Sequence, residues 1–289
     1  MTNTIAILGA NGVLGRHLMP RLMAAGHRVR ALVRRPEAAG IARGCGAEIH
    51  LADIFDRESL RAAMTGCDIA INLATTLPGP SGRGDFAAND RLRREGTPIW
   101  VKACAEAGVA RVLQQSIAMI NAAGDQLADE GTAHGEIGEP TAASAVAAAI
   151  AMEDAVRTSE LDWVILRGGL YYGPGTGFDD DWFARAVAGK LRLPGEGQDF
   201  VSLIHIADMA AAVQATIGAW PSRQTLIVAD DAPVRWRDVF GFIASTTGGV
   251  APASGGRAGF PSFRVSNAKA RRLLSWAPTY SDYRAGLAR

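Results

Sequence analysis

Residues 4–15 of the chain read Thr-Ile-Ala-Ile-Leu-Gly-Ala-Asn-Gly-Val-Leu-Gly. The run from Ile5 to Leu8 is apolar, as in a buried strand, and apolar residues at helical spacing follow from Leu14 to Ala25. A strand, a glycine turn and a helix in this order can bind phosphate, because the helix N-terminus offers free N–H groups and a partial positive charge. The stretch therefore predicts a dinucleotide site, with a plain strand-to-helix turn as the alternative.

Each glycine of this turn has its own expected task. Gly9 permits the tight turn, Gly12 lets the backbone approach a pyrophosphate, and Gly15 lets the helix pack close to the strand. The residues expected to contact the dinucleotide here are Gly9, Ala10, Asn11, Gly12, Val13, Leu14 and Gly15.

The composition is that of a globular protein with a large core, since 48% of the 289 residues are hydrophobic. The net charge of +1 gives no electrostatic reason to expect nucleic acid or an anionic membrane as a partner. No apolar run is long enough to span a bilayer, and the N-terminus enters a strand without a secretory signal. We therefore expect a cytoplasmic protein that acts on a small-molecule substrate.

The three cysteines are Cys45, Cys67 and Cys104. They are odd in number and widely spaced, and they form neither a CxxC motif nor a Cys/His cluster. We therefore expect neither disulfides nor a metal site.

Strand-like and helix-like segments alternate through the first half of the chain. Such repeated units with short links predict a Rossmann-type α/β fold, in which a doubly wound parallel sheet binds ligands at the carboxyl ends of its strands. The expected strands after the first are 28–33, 47–51, 69–73, 111–115 and 163–166, and the expected helices are 56–64, 89–107 and 141–159. Residues 75–85, rich in Pro and Gly, are predicted to form a loop over the site, and the polar stretch 125–139 is a candidate lid.

The pattern loosens after Arg167. We expect a helix over 205–219, a strand over 225–228, a helix over 235–245, a loop over 248–261 and a final capped helix over 266–274. The sequence thus predicts a dinucleotide-binding domain over 1–170 and a smaller C-terminal substrate lobe over 171–289. Residues 203–230 are expected to return to the Rossmann sheet.

Further short motifs follow the glycine turn in a specific order. They are Glu95-Gly96-Thr97, Ala107-Gly108-Val109 with Ser116, Leu166-Arg167-Gly168-Gly169, Tyr172-Gly173-Pro174-Gly175, His205-Ile206-Ala207-Asp208, and Asn267-Ala268-Lys269 through Trp276-Ala277-Pro278. With this order of motifs, nearly the whole chain resembles the extended short-chain dehydrogenase/reductase family, in its epimerase/dehydratase-like branch.

One part of the family pattern is missing. The family places Tyr-x-x-x-Lys on the helix after the fifth strand, where the lysine lowers the tyrosine pKa so that the phenol can exchange a proton. Counted back from Glu153, these two positions fall on Ala145 and Ala149. No tyrosine precedes Tyr171, and the stretch 103–189 contains no lysine. The usual proton-transfer pair is therefore absent from this sequence.

Arg34 lies about 20 residues beyond the glycine turn, where NAD-preferring folds carry an acidic residue. A guanidinium there suits the 2′-phosphate of NADP, and Arg35 can assist it. The alternative is a solvated strand end. We predict NADP as the cofactor in preference to NAD.

The resemblance implies three more sets of cofactor contacts. They are Asp53 and Ile54 at the adenine, Ala74 and Thr75 beside the cofactor backbone, and Gly168, Gly169 and Leu170 next to the nicotinamide. Turn capping by Asp53 and ordinary turn packing at Ala74 are the alternatives.

Ser116 matches the family serine that hydrogen-bonds a substrate oxygen, although a serine at a strand end is often only a turn former. Since no His/Asp pattern accompanies Ser116, a hydrolase triad is not expected. Tyr171 is the candidate substitute proton donor. Three residues are candidates for the substrate site, each with packing or a structural hydrogen bond as its alternative role: Tyr172, Trp182 and His205. Tyr172 and His205 belong to the motifs that carry the resemblance.

Helices 89–107 and 141–159 resemble the pair that forms the dimer interface in this family, so a homodimer is predicted, although these helices could simply cover the sheet. Three functions stay open. The favoured one is a noncanonical NADP-dependent oxidoreductase acting on a small carbonyl, hydroxyl or related metabolite, because the substrate-lobe motifs are all present. The others are a catalytically silent NADP(H) sensor and a non-redox lyase or isomerase that uses the same cleft.

Overall fold

The computed structural model describes residues 2–78 and 84–288. The strands are β1 (Thr4–Leu8), β2 (Arg28–Val33), β3 (Glu48–Leu51), β4 (Ile69–Asn72), β5 (Arg111–Ile117), β6 (Leu127–Ala128), β7 (Asp162–Gly168), β8 (Leu170–Tyr172), β9 (Arg192–Pro194), β10 (Phe200–Val201), β11 (Leu203–His205), β12 (Gln224–Val228), β13 (Val234–Arg235), β14 (Ala253–Gly256) and β15 (Arg264–Val265). The helices are α1 (Val13–Ala24), α2 (Gly40–Gly44), α3 (Arg57–Met64), α4 (Phe86–Arg91), α5 (Thr97–Glu106), α6 (Pro140–Arg157), α7 (Phe178–Val187), α8 (Ile206–Ala219), α9 (Trp236–Thr246), α10 (Ala268–Leu274) and α11 (Tyr283–Leu287).

The central sheet has seven parallel strands in the order β12-β7-β5-β4-β1-β2-β3. This arrangement confirms the predicted Rossmann-type α/β fold. The chain runs outward from β1 to β2 and β3, and then crosses to β4 on the other side. The reversal leaves a crevice at the carboxyl ends of β1 and β4, where such folds bind ligands.

Strand β1 shows why the sheet is buried on both faces. All five of its residues are buried, and successive side chains enter different cores. Ile5 and Ile7 pack with α1, α8 and α10 on one face, whereas Ala6 and Leu8 pack with α3 and α5 on the other. This explains a nearly continuous apolar run in the sequence.

A second core builds the C-terminal lobe around aromatic side chains of α7, α9 and α11. Trp182 packs edge-on against Trp236, with ring centroids 5.9 Å apart, and lies 5.6 Å from the ring of Phe240. Strand β12 pairs with β7 at the edge of the central sheet, so the chain passes through the lobe and returns to the sheet.

The elements differ from expectation at several places. Strand β5 continues to Ile117 because Ser116 and Ile117 pair with β7, so Ser116 lies inside the strand and not at its end. The stretch 248–261 is not all loop, since β14 pairs with β9, and α10 is followed by α11. The candidate lid includes β6, which pairs with β15. Of the predicted loop over 75–85, residues 79–83 lie outside the described residues.

We predict that Gly15→Ala destabilises the protein, because an added Cβ would lie 2.2 Å from the Ala10 carbonyl oxygen. The cost should be about 1–3 kcal/mol, typical of overpacking. Gly218→Ala is the matched control, since no atom lies within 4 Å of an added Cβ there. Gly218 lies in α8, where alanine is favoured by about 0.5–1 kcal/mol. Urea unfolding of both variants checks this, and equal effects would contradict it.

The buried carboxyl of Asp230 should make the stability of the protein depend on pH. It is 1% exposed, and burial raises its pKa to about 8, with the carboxylates of Asp231, Asp282 and Asp208 adding to the shift. An unfolded carboxyl has a pKa of about 4, so the folded state binds the extra proton between these values. The free energy of unfolding must therefore fall as the pH rises from about 4 to 8.

Asp230→Asn should flatten this decline by at least about 1 kcal/mol, because the amide carries no titrating proton. The free energy of unfolding from urea titrations at several pH values between 4 and 8 measures it. Asp154→Asn, which changes an exposed carboxylate on α6, is the control. A variant at position 230 whose stability declines as steeply as that of the wild type would disprove the assignment.

Candidate functional site

The glycine turn between β1 and α1 brings three backbone segments into close contact. Gly9 has a φ of +82°, and an added Cβ would lie 2.7 Å from the Ala74 nitrogen at the end of β4. Gly12 precedes α1 without a side-chain cap, and the first turn of the helix has no acidic residue. The Gly12 N–H donates to the Gly9 carbonyl within the turn, whereas the N–H groups at the start of α1 are open to an anion, which fits the diphosphate of a dinucleotide.

One cleft of ≈ 930 Å³ joins this turn to the C-terminal lobe. Aromatic side chains contribute much of the wall on the lobe side: Phe178, Trp182, Trp236, Phe240, Phe260 and Phe263. The predicted residues that line the cleft are Gly9, Gly12, Val13, Leu14, Gly15, Thr75, Gly168, Gly169, Leu170, Tyr171 and Trp182. Thus most of the glycine turn and the segment after β7 share one cavity with Trp182. Ala10, Asn11 and Ala74 lie next to these residues in the chain but not in the wall.

Arg34 and Arg35 follow β2 directly and are exposed. Leu32 of β2 pairs with Leu8, the last residue of β1 before the glycine turn. Arg34 therefore lies two residues beyond the position of β2 that is next to this turn. Arg35 lies 3.7 Å from the exposed carboxylate of Glu37. Arg34 has neither a hydrogen bond nor an ion pair to any residue within 2–78 and 84–288, so its side chain is available to a ligand.

Asp53 and Ile54 lie after β3 in a tight turn. The Asp53 carboxylate accepts a hydrogen bond of 3.0 Å from the Phe55 N–H, as in the turn-capping alternative. Ile54 is buried, and an added Cβ on Gly96 would lie 2.9 Å from its side chain. The Ile54 side chain therefore packs in the core below Gly96, while Asp53 remains partly exposed at the edge of the sheet.

The two predicted catalytic residues are placed differently. Ser116 is fully buried within β5, outside the cleft wall, and its hydroxyl has no hydrogen-bond partner among the described residues. Tyr171 does line the cleft, with its ring against Gly168. Burial raises the pKa of Tyr171 far above its usual range, although the Gln115 side chain and the Arg93 charge oppose the shift. Its phenol therefore stays protonated, and the hydroxyl is buried close to Gly168 without a hydrogen-bond partner among the described residues.

Tyr172 and His205 lie in the lobe core and not in the cleft wall. They are paired residues of β8 and β11, with ring centroids 5.2 Å apart. The His205 ring also packs on Tyr280, and its Nδ1 accepts a hydrogen bond of 3.3 Å from the Ala207 N–H at the start of α8. Tyr172 Oη donates to the Asp282 carbonyl at 3.5 Å. Both side chains thus pack within the lobe and lie outside the cleft wall, and a role for them at the substrate stays a prediction.

The helix that carries Ala145 and Ala149 is α6. Ala145 lines the cleft, whereas Ala149 is fully buried in a small apolar cluster with Ile120 and Met152. Further along α6, the fully buried Glu153 accepts a bidentate pair from Arg167, with distances of 2.9 Å and 2.6 Å. This ion pair joins α6 to β7, which carries Gly168 to the cleft.

Arg93 is a site residue that the sequence did not reveal. It lies on a π-helical segment, Leu92–Gly96, inserted between α4 and α5. Its side chain reaches the cleft wall, and its Nη1 donates a hydrogen bond of 3.0 Å to the Ala145 carbonyl. The residue is 4% exposed, and desolvation lowers its pKa to about 10, so it remains a cation at neutral pH. A charged residue in a polar run gives no sign of burial, which is why sequence patterns miss it.

Within residues 2–78 and 84–288, no group of His, Cys, Asp or Glu side chains is arranged to hold a metal ion. The same residues include no helix with the length and apolar character needed to cross a bilayer.

Comparison with known proteins identifies relatives. A family model described as NAD(P)H-binding matches residues 9–215. The 3-diazoavenalumate denitrifying reductase of a Streptomyces species is 33% identical over 311 aligned positions, which cover 99% of both chains. A ketoreductase of Stigmatella aurantiaca, named for a 4-hydroxy-2-methyl-3-oxo-4-farnesyl-3,4-dihydroquinoline-1-oxide, is 26% identical over 84% of this chain and 72% of its own.

Among solved structures, the enzyme WbmG of Bordetella bronchiseptica in complex with NAD and UDP has the same fold, with a TM-score of 0.80. The match covers 99% of this chain and 93% of that chain at 18% identity.

Proposed function

The chain belongs to the NAD(P)H-binding family, within the extended short-chain dehydrogenase/reductase group, and from this premise we propose that it is an NADP(H)-dependent reductase. Its substrate is a small aromatic molecule that accepts hydride without taking a proton from a tyrosine–lysine pair. The observation that carries the proposal is Ala145, which lines the cleft at the position where the family tyrosine would stand. The phenol of Tyr171 has a raised pKa, because it is buried, and so does not replace an activated tyrosine.

An aromatic diazonium group is a hydride acceptor that needs no such proton. When bound, the reduced nicotinamide supplies a hydride. On an aromatic diazonium ion the hydride forms the new C–H bond, the C–N bond breaks, and its electron pair leaves with N₂. This reaction needs no proton from the protein. Reduction of a carbonyl group does, because the carbonyl oxygen must be protonated. The name of the Streptomyces relative, a denitrifying reductase of a diazo compound, supports this class of substrate.

The wall of the cleft supports an aromatic substrate. Phe178, Trp182 and Phe240 line the cleft and pack on one another, so they form an apolar aromatic wall that suits a planar conjugated molecule. Gly168, the last residue of β7, and Gly169 line the cleft without side chains of their own, and the Tyr171 ring packs against Gly168 at this end of the pocket. The aromatic wall would thus orient the substrate toward these glycines.

Carbonyl reduction is the second candidate, favoured by the ketoreductase relative and by the hydroxyl of Tyr171 in the cleft. In that case Tyr171 itself would have to supply the proton, and Tyr171→Phe would lower carbonyl turnover by about 10²–10⁴-fold. The homodimer through 89–107 and 141–159 and the cytoplasmic location stay predictions.

We further propose that NADP is preferred over NAD, because Arg34 is an exposed guanidinium beside the glycine turn with no partner in 2–78 or 84–288. It is available for a bidentate contact with the 2′-phosphate.

The function is tested with para-carboxybenzenediazonium and para-carboxybenzaldehyde as matched substrates. NADPH is supplied with deuterium on one or the other face of nicotinamide C4. We expect deuterium from only one face to appear at the carbon that lost N₂, and the aldehyde to react about 10²–10⁴-fold more slowly. Transfer from both faces equally would indicate an uncatalysed reaction, and faster aldehyde reduction would favour the second candidate. Either result would overturn the diazo proposal.

The cofactor preference is tested with Arg34→Glu. This change should weaken NADPH binding by about 10–100-fold while changing NADH binding little, because only NADPH carries the 2′-phosphate. Arg28→Glu, the same charge change at the exposed opposite end of β2, is the control. Dissociation constants from calorimetry provide the comparison, and equal losses for both cofactors would refute a role for Arg34 in selectivity.

A further inference from the structure

Arg93 combines burial with a place in the cleft wall, a combination that an arginine with a purely structural role does not need. Its guanidinium is almost fully removed from solvent, yet it belongs to the cleft wall beside Tyr171, Gln115 and Ala145. It lies on a π-helical segment, a distortion that often occurs at functional sites. Its position therefore places a buried positive charge within reach of a bound substrate.

The donors of Arg93 are only partly used. A guanidinium has five N–H donors, and the hydrogen bond to the Ala145 carbonyl uses one of them. Within 2–78 and 84–288, no carboxylate lies within 4 Å of it. A buried charge without a counterion is costly, so an incoming anion would satisfy both the charge and the free donors.

The acidic groups nearest to Arg93 are already engaged elsewhere. Both oxygens of Glu153 accept from Arg167, and Oε2 also accepts from Arg157 at 2.5 Å. Asp90 accepts a hydrogen bond of 2.6 Å at Oδ2 from the Ser144 hydroxyl, whereas its Oδ1 is buried without a hydrogen-bond partner among the described residues. These carboxylates act on Arg93 only at longer range.

The other cations of the described cleft wall are exposed, and two of them form ion pairs. Arg185 forms an ion pair with Asp181 at 2.8 Å, and Arg257 forms one with Glu139 at 3.1 Å. Both arginines are largely exposed, as are Lys190 and Arg192. Arg93 is thus distinguished among the cations of the described wall by being both buried and without an ion pair.

We propose that Arg93 binds a carboxylate of the substrate, with the Tyr171 hydroxyl as a second donor to the same group. This inference rests on the proposed function, since it specifies the substrate class as an aromatic carboxylate. A carboxylate suits the site because its two oxygens can accept a pair of parallel N–H bonds from one guanidinium. The cofactor phosphates have their own site at the glycine turn, where α1 begins.

The test measures binding and not turnover, so that it gives an answer whether or not the protein reduces a diazo compound. Cinnamate and cinnamamide, which differ in charge, are titrated into the complex of the protein with NADP⁺ by calorimetry. The wild type should bind cinnamate at least about 10-fold more tightly than the amide, because a hydrogen-bonded charge pair is lost with the amide. Equal affinities would overturn the proposal without using any variant.

Variants then show whether Arg93 causes the preference for cinnamate over cinnamamide. Arg93→Met should weaken cinnamate binding by about 10–100-fold and leave the affinities for cinnamamide and NADPH within about threefold. Arg93→Lys should recover only part of the loss, because an ammonium lacks the planar fork. Arg94→Met is the matched control, since Arg94 belongs to the same π segment but is exposed and outside the cleft wall.

Three results would overturn the assignment. They are unchanged cinnamate binding in Arg93→Met, an equal loss for cinnamate and cinnamamide, and a loss of NADPH affinity, which would make Arg93 a cofactor ligand. Reduction of a neutral aryl diazo compound together with failure of these binding tests would refute the carboxylate site alone. Specific cinnamate binding without any reductase activity would refute the proposed function alone.

Discussion

The structure depends on the close approach of backbone at the end of β1. Gly9 touches the end of β4, and Gly15 lets α1 lie against the Ala10 carbonyl, so no side chain separates strand from strand or helix from strand. The chain reverses its direction across the sheet at the same place. The crevice therefore opens where Gly9 meets the segment that follows β4, next to the N-terminus of α1, which has no side-chain cap. The rest of the cleft extends from this crevice into the C-terminal lobe.

Two buried arginines show how the same side chain can serve the fold or the site. Arg167 donates four hydrogen bonds, to Glu153, Asn121 and the Glu130 carbonyl, and its ion pair with Glu153 fixes β7 against α6. Arg93 has a single carbonyl partner and faces the cavity. A buried cation that is held in an ion pair contributes rigidity, whereas one without a counterion is available for an anionic ligand. The difference lies in the partners, and burial is nearly the same for both.

The glycine turn and the order of the sheet could be predicted because their signals are local or periodic. The places of Tyr172 and His205 could not, since they depend on the pairing of β8 with β11, two short strands outside the main sheet. Ser116 was expected at a strand end, but pairing with β7 extends β5 past it. Arg93 was missed because a π turn shifts the helix face by one residue, which a helical period of 3.6 does not anticipate.

The π segment also has an evolutionary consequence. An α-helix advances about 100° per residue, so removing one residue between Leu92 and Gly96 would restore a regular helix and swing position 93 out of the cavity. A deletion of one codon would then exchange a charged pocket wall for a neutral one while leaving the sheet and the glycine turn as they are. In a protein lineage, preference for anionic or uncharged molecules could change in a single mutational event.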